Sequence, residues 1–282
     1  MHKKPWDWEI EASAARVFSF QPAFFRNNKD LLLRFARRDL VASYQQTILG
    51  PVWIFLQPLL TTLVYYIVFG KIVRLSTEGL PAVVFYLPGI ILWNFFSDCV
   101  METMYTFIKN AHVFNKVYFP RIVVPFSAAL VQLVRLLIQL VVFLLVYAYY
   151  LWQGYYPVPG VTLLLIPLLL IMQTALALGT GLVMSAVLAK YRDMENIFHF
   201  LLRLFMFATP VFYAASIIPP QLRWFYWFNP LTVIIETWRA AFFSWKDIHY
   251  NYIALAFVES MLVLLAGIWL FQKRALTVID TI

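Results

Sequence analysis

Asp98 and Glu102 stand four residues apart, so on a helix they would share one face. A pair of carboxylates at that spacing is the usual material for general acid–base chemistry. Both fall inside a long apolar run, however, whereas an enzyme acting at a membrane face needs its acids near the interface. The remaining chemistry-bearing residues form no better set. Four histidines (His2, His112, His199 and His249) are far apart in sequence, and Cys99 is the single cysteine, so no metal-ligand spacing and no disulfide within the chain can be read. Gly70 is the only glycine followed by lysine, and no Gly-x-x-x-x-Gly-Lys-Ser/Thr loop surrounds it. Hydrolysis of ATP by a P-loop on this chain is therefore excluded, no cofactor is expected on it, and covalent catalysis is not expected either.

The elements that carry these residues are membrane spans. Residues 136–189 run for 54 positions without one Asp, Glu, Lys or Arg. No soluble core would tolerate that. The composition agrees, with 62% hydrophobic and 13% charged residues against about 25% charged in soluble domains. A span needs roughly 20 apolar residues, and the chain offers six: 51–69, 83–107, 122–152, 161–189, 197–217 and 252–271. The expected fold class is an all-α polytopic membrane protein, with residues 1–50 as an N-terminal segment and 51–282 as the six-span domain. Before position 44 eight Lys/Arg and five acids interrupt every apolar run, so a cleavable signal peptide is not expected.

Lys and Arg accumulate on the cytoplasmic side of a membrane. With the N-terminus inside, the inner segments carry fifteen of them and the outer loops five. Both termini are thus expected in the cytoplasm. The net charge of +8 sits at span edges, which fits lipid headgroups better than nucleic acid. Residues 28–44 read as a basic amphipathic helix: Asp30, Arg34, Arg37 and Arg38 fall on one arc, and Leu31, Leu32, Phe35, Ala36 and Leu40 on the other. Such a helix lies in the headgroup plane, either as a topology signal or as a docking surface for a cytoplasmic partner.

Charges inside a membrane are costly and are functional candidates by default. Counted from the cytoplasmic ends at 1.5 Å per residue, Asp98 lies roughly 14 Å into the second span and Arg135 roughly 20 Å into the third. Similar depth on consecutive antiparallel helices predicts an ion pair between them. Arg203 and Glu259 are further isolated charges, expected in structural or interfacial roles. Aromatic residues make up 18% of the chain. Phe198, Phe205, Thr209 and Phe212 share one face of the fifth span, as do Phe55, Thr62, Tyr66 and Phe69 in the first. Those faces serve either helix packing and lipid contact or a passage lined by rings, whose broad surfaces offer area with little directional hydrogen bonding.

Several segments then carry a family resemblance. Arg38-Asp39-Leu40, the run from Tyr44 through Gly50-Pro51-Val52-Trp53, and Gln57-Pro58 open it. Ala189-Lys190-Tyr191-Arg192-Asp193, Thr209-Pro210-Val211-Phe212-Tyr213 and Asn229-Pro230-Leu231-Thr232, leading to Glu236 and Arg239, continue it. In this order they resemble the permease subunits of ABC-2 type exporters, and more specifically those of O-antigen, capsule and teichoic acid. The resemblance spans essentially the whole chain. It implies a homodimer in the bacterial inner membrane, carrying two copies of a separate cytoplasmic ATPase that holds the ATP and Mg. By the same carry-over, 109–121 would contain the coupling helix (Lys109, His112, Asn115, Lys116, Arg121). Arg34, Arg37 and Arg38 would frame the entrance. The first and fifth spans would line the channel, with Phe55, Tyr66, Phe69, Phe198, Phe205 and Phe212 as its aromatic face, and 219–243 would form re-entrant outer gate helices.

The function this implies is ATP-driven export of a lipid-linked polysaccharide. Two alternatives share the residues: an ABC-2 exporter of a small hydrophobic compound, and a membrane-embedded glycosyl or acyl transferase. The second would need acid or histidine machinery at a membrane face, and a passive channel would need a filter or a ring of charge.

Overall fold

With no water to satisfy its backbone, an apolar run must close its own hydrogen bonds, which favours helices. The computed structural model describes residues 22–44, 50–114, 119–156, 159–244 and 248–277, and no strand occurs among them. The expected coupling residues Asn115 and Lys116, and residues 45–49, lie outside the described residues.

The first helix, α1 (Pro22–Tyr44), buries Ala36 and half-buries Leu31, Leu32, Phe35 and Leu40, while Arg34, Arg37 and Arg38 stay exposed, the amphipathic division expected of it. Next come α2 (Val52–Tyr65), extended by a π-helical stretch over Tyr66–Ile72, and α3 (Ala82–Met104). Two short helices follow, α4 (Thr106–Lys109) and α5 (Ala111–Phe114). The long α6 (Val123–Trp152) starts after Pro120 and ends at Gly154, whose φ of +78° suits a residue without a Cβ. Then come α7 (Ile166–Leu188), led in by a 3-10 turn over Val161–Leu165, and α8 (Met194–Phe207). Arg223–Trp227 forms α9, Pro230–Phe243 forms α10 and Tyr250–Thr277 forms α11.

Five of these segments are long and apolar enough to cross a membrane: Val52–Ile72, Ala82–Met104, Val123–Trp152, Val161–Leu188 and Tyr250–Ala275. The fifth expected span, 197–217, is α-helical only as far as Phe207. Pro210 is the reason, since it lacks an N–H and its ring clashes with the preceding turn. At 14 residues α8 is about 21 Å long at 1.5 Å per residue, short of a ~30 Å hydrocarbon core.

The bundle is organised around α3. In its most apolar stretch 78% of residues are buried, against 17% for the first span. Helix α7 packs on α3 and α11, α6 packs on the other side of α3, and α1 lies along α6. Close approach of α7 and α11 depends on glycine. A Cβ on Gly267 would meet the Gly179 carbonyl oxygen at 2.5 Å, and one on Gly179 would meet Leu264 backbone at 2.6 Å. On the other side, a Cβ on Gly181 would strike Thr103 of α3 at 2.6 Å. The small residues of the fourth span are therefore used within the chain.

Candidate functional site

The polar groups buried deepest cluster where α10 meets the start of α3. Asn229 caps α10 by accepting from the Leu231 N–H at 3.0 Å, and Pro230 occupies the first turn, where its missing N–H costs nothing. From there every residue from Leu231 to Phe243 is buried. Glu236 and Arg239 are three apart on this helix and 6% and 0% exposed. Arg239 Nη1 donates to Glu236 Oε1 at 3.1 Å, Nη2 donates to the Val211 carbonyl at 2.9 Å, and the guanidinium lies 3.9 Å above the Phe85 ring. A buried cation is tolerable only with such compensation. Room for it comes from Gly89, where a Cβ would sit 2.6 Å from the Val211 oxygen and 3.0 Å from Arg239 Nη2.

The break after α8 is tied down from several directions. Thr209 Oγ1 donates to the Phe205 carbonyl at 2.9 Å and accepts from Asn229 Nδ2 at 3.1 Å. Tyr213 Oη donates to the Phe207 carbonyl at 3.0 Å. Val211 to Tyr213 thus forms a fixed irregular run seated on α10 and α3.

Of the six aromatic residues expected to line one surface, the structure brings two into contact. Phe69 and Phe212 stack with ring centroids 4.4 Å apart and planes 8° from parallel. Tyr65 meets both edge-on, at 5.5 and 5.7 Å, and Phe207 flanks Phe212 at 5.6 Å. Phe205 turns instead toward Trp93 and Phe96 of α3. Tyr66 sits under the Lys71 ammonium, Phe55 is exposed, and Phe198 is half-buried. The π-helical stretch rotates Tyr66–Ile72 away from ideal α geometry, so positions drawn at 100° per residue shift there.

At the opposite end, where α3 finishes, Tyr105 Oη donates to Glu195 Oε1 at 2.6 Å and lies 2.9 Å from His199 Nε2, joining α3 to the first turns of α8. Burial, then the hydrogen bond to the Glu195 carboxylate, pushes the Tyr105 phenol up to about 12. Lys109 pairs with Glu102 at 2.7 Å, Arg38 Nη2 reaches Asn110 Oδ1 at 3.4 Å, and Arg121 donates to the Ala275 carbonyl of α11. His112 on α5 is exposed. Between α1, α3 and α6 lies a cavity of about 500 Å³ bordered by Arg38, Lys109, Gln132 and Arg135. Asp98 and Arg135 are within electrostatic reach of each other, but no direct ion pair joins them. Asp98 is exposed, and Arg135 Nη1 donates to Gln132 Oε1 at 3.4 Å.

Glu195 and the Tyr105–His199 contact went unread in the sequence, because nothing local links positions 90 apart. Glu236 and Arg239 appeared only as parts of a motif. Their spacing on an otherwise apolar, proline-started helix was the available signal. No group of three or more His, Cys, Asp or Glu suited to a metal occurs among the described residues.

Together these features define a multi-pass, all-helical membrane protein whose buried polar side chains hold helices to one another. The chain belongs to the ABC-2 type transporter family, whose model matches residues 31–243. It is 29% identical over 252 residues to the O-antigen export system permease protein RfbA of Klebsiella pneumoniae, covering 86% of this chain and 92% of that one. It is also similar to the polysialic acid transport protein KpsM of Escherichia coli, at 24% over 242 residues (84% and 90% covered). A third relative is the capsule polysaccharide export inner-membrane protein CtrC of Neisseria meningitidis, at 24% over 247 residues (84% and 89%).

Proposed function

We propose that the chain is the permease subunit of an ATP-driven exporter, moving a lipid-linked polysaccharide outward across the bacterial inner membrane. The observation that carries this reading is the full-length similarity to permeases named for polysaccharide export. The chain functions as a homodimer with two copies of a cytoplasmic ABC ATPase, which holds the ATP and Mg.

Six crossings with both termini inside fit the geometry. Glu195 at the start of α8 lies beside Tyr105, and Val211 lies beside Gly89. The sixteen residues of α3 between those two points span about 24 Å at 1.5 Å per residue. The α8 segment with its irregular extension therefore crosses antiparallel to α3 although α8 alone is short. The α9–α10 segment then forms the outer gate, an irregular region sheltered by protein rather than lipid.

Helices α2 and α8 are the least covered elements. Trp53, Leu60, Leu63 and Val64 of α2 are exposed, as are Phe200, Leu201, Leu204 and Phe207 of α8, and so is the charged Arg203. A charge in mid-helix disfavours lipid contact on that side, and a passage between two copies accommodates it. ATP binding closes the ATPase pair, the 109–121 segment transmits the motion, and differential ATP affinity for the two permease states supplies the energy.

The test is twofold. Deleting the gene should trap polymer inside the cell, and a tagged chain should co-purify with an ATPase that is lost when 109–121 is replaced by a neutral linker. Normal export in the deletion strain would overturn the reading, and failure to recover any ATPase would remove its energy source.

A further inference from the structure

A second cavity, of about 240 Å³, opens between α9, α10 and the start of α11. Trp227 and Tyr252 line it as a stacked pair, with ring centroids 5.0 Å apart and planes 6° from parallel. His249 stands edge-on to both, at 5.6 and 5.8 Å. The facing wall is one side of α10, which brings Glu236 and Thr237 to the cavity over the small Ala240.

Flat aromatic surface opposite a carboxylate and a hydroxyl is what a pyranose ring needs. Its C–H faces lie on the rings, and its hydroxyls donate to the carboxylate and exchange hydrogen bonds with imidazole and Thr. Two features favour a neutral, hydroxyl-rich ligand over an organic cation. Glu236 is already neutralised by Arg239 at 3.1 Å, which weakens attraction for a second positive charge. The two large rings are also stacked on one another, so their faces do not converge around one point as a cation cage needs. The volume is below the ~300 Å³ at which drug-sized pockets begin, so it admits a single sugar unit.

We propose that this cavity is a subsite for one pyranose unit of the exported chain at its outer end, a role that rests on the export reading above. A carboxylate accepts more than one hydrogen bond, so the sugar would share Glu236 with the Arg239 that holds Val211. Occupancy and the seating of the α8 extension then meet at one side chain.

The experiment is saturation-transfer NMR on the full-length protein in nanodiscs, using methyl pyranosides of glucose, mannose, galactose and rhamnose, with choline as a cationic control. Tyr252→Ala removes one ring of the stacked pair at a position 37% exposed, and His249→Ala changes an exposed residue; neither is expected to impair folding. At least one pyranoside should show transfer, weakened about fivefold in Tyr252→Ala and also reduced in His249→Ala. No transfer from any pyranoside, transfer unchanged in both variants, or stronger transfer to choline would each overturn the subsite. Polymer accumulation in the deletion strain reports on export alone. Accumulation without pyranoside binding removes the subsite and leaves export standing, and binding without accumulation does the reverse.

Discussion

Arg239, buried in α10, donates to the backbone carbonyl of Val211 at 2.9 Å and so fastens the irregular run after α8 to the helix that caps it. Pro210 keeps the chain from continuing as helix beyond α8 and leaves carbonyls that no helix turn can satisfy. The guanidinium supplies the missing donor while Glu236 and the Phe85 ring stabilise its charge.

Removing one partner of this network strands the other. Arg239→Met should destabilise the protein by about 3–5 kcal/mol, because Glu236 would remain buried and uncompensated. Glu236→Gln added to it should recover part of that loss. Gly89→Ala should mimic the single variant, since its Cβ would meet the Val211 oxygen at 2.6 Å. Unfolding titrations in detergent on the wild type, the three single variants (Arg239→Met, Glu236→Gln, Gly89→Ala) and the double variant test this. An additive double variant would show that the carboxylate and guanidinium do not act as a unit.

The contact of Gly179 with Gly267 makes a different demand. Either residue changed to Ala should force α7 and α11 apart, at a cost of about 1–3 kcal/mol, and the double change should cost less than the sum because the helices separate once. Thermal unfolding decides it. If Gly179→Ala weakened dimerisation and left the stability of the chain intact, the packing role would be the wrong one.

How much of this was legible in the sequence depends on the range of the interaction. The third span, expected at 122–152, is observed at Val123–Trp152, because a long apolar run from Ile122 to Trp152, with Arg135 as its one charge, admits little else. The amphipathic α1 was equally readable, since its charges sit on one arc. The end of α8 was marked by Pro210, but apolar residues on both sides made the segment look continuous. Depth of Asp98 and Arg135 follows from counting residues, whereas their orientation depends on helix rotation, which packing sets. The outer cavity could not be read at all, because it joins Trp227, Glu236 and Tyr252 across a chain reversal.

Tyr105 ties α3 to α8 through a proton, so its contribution depends on pH. The phenol is raised from 10.0 to about 12 by burial and by Glu195, and the native state therefore favours the neutral form. Its stabilisation is complete below pH 10, where both native and unfolded phenols are neutral, and is lost as pH rises from 10 to about 12. The stability difference between the wild type and Tyr105→Phe should be constant up to pH 10 and shrink above it, as followed by thermal unfolding across that range. A difference that grew with pH would mean that the phenolate is the favoured form.

The Phe69–Phe212 stack joins the end of the first span to the run held by Arg239, so a passage opening between α2 and the α8 extension, as proposed above, would separate these rings. Cys99 is buried, which leaves engineered cysteines free to report on the separation. In a Phe69→Cys, Phe212→Cys chain, a short bifunctional thiol reagent should link the two positions in the resting complex and link them less when a non-hydrolysable ATP analogue is bound. Linked with a reducible reagent, the complex should stop exporting polymer and resume after reduction. Each single-cysteine chain should export whether or not it is treated. Unimpaired export by the linked chain would place the opening elsewhere and leave the stack as packing between α2 and the gate.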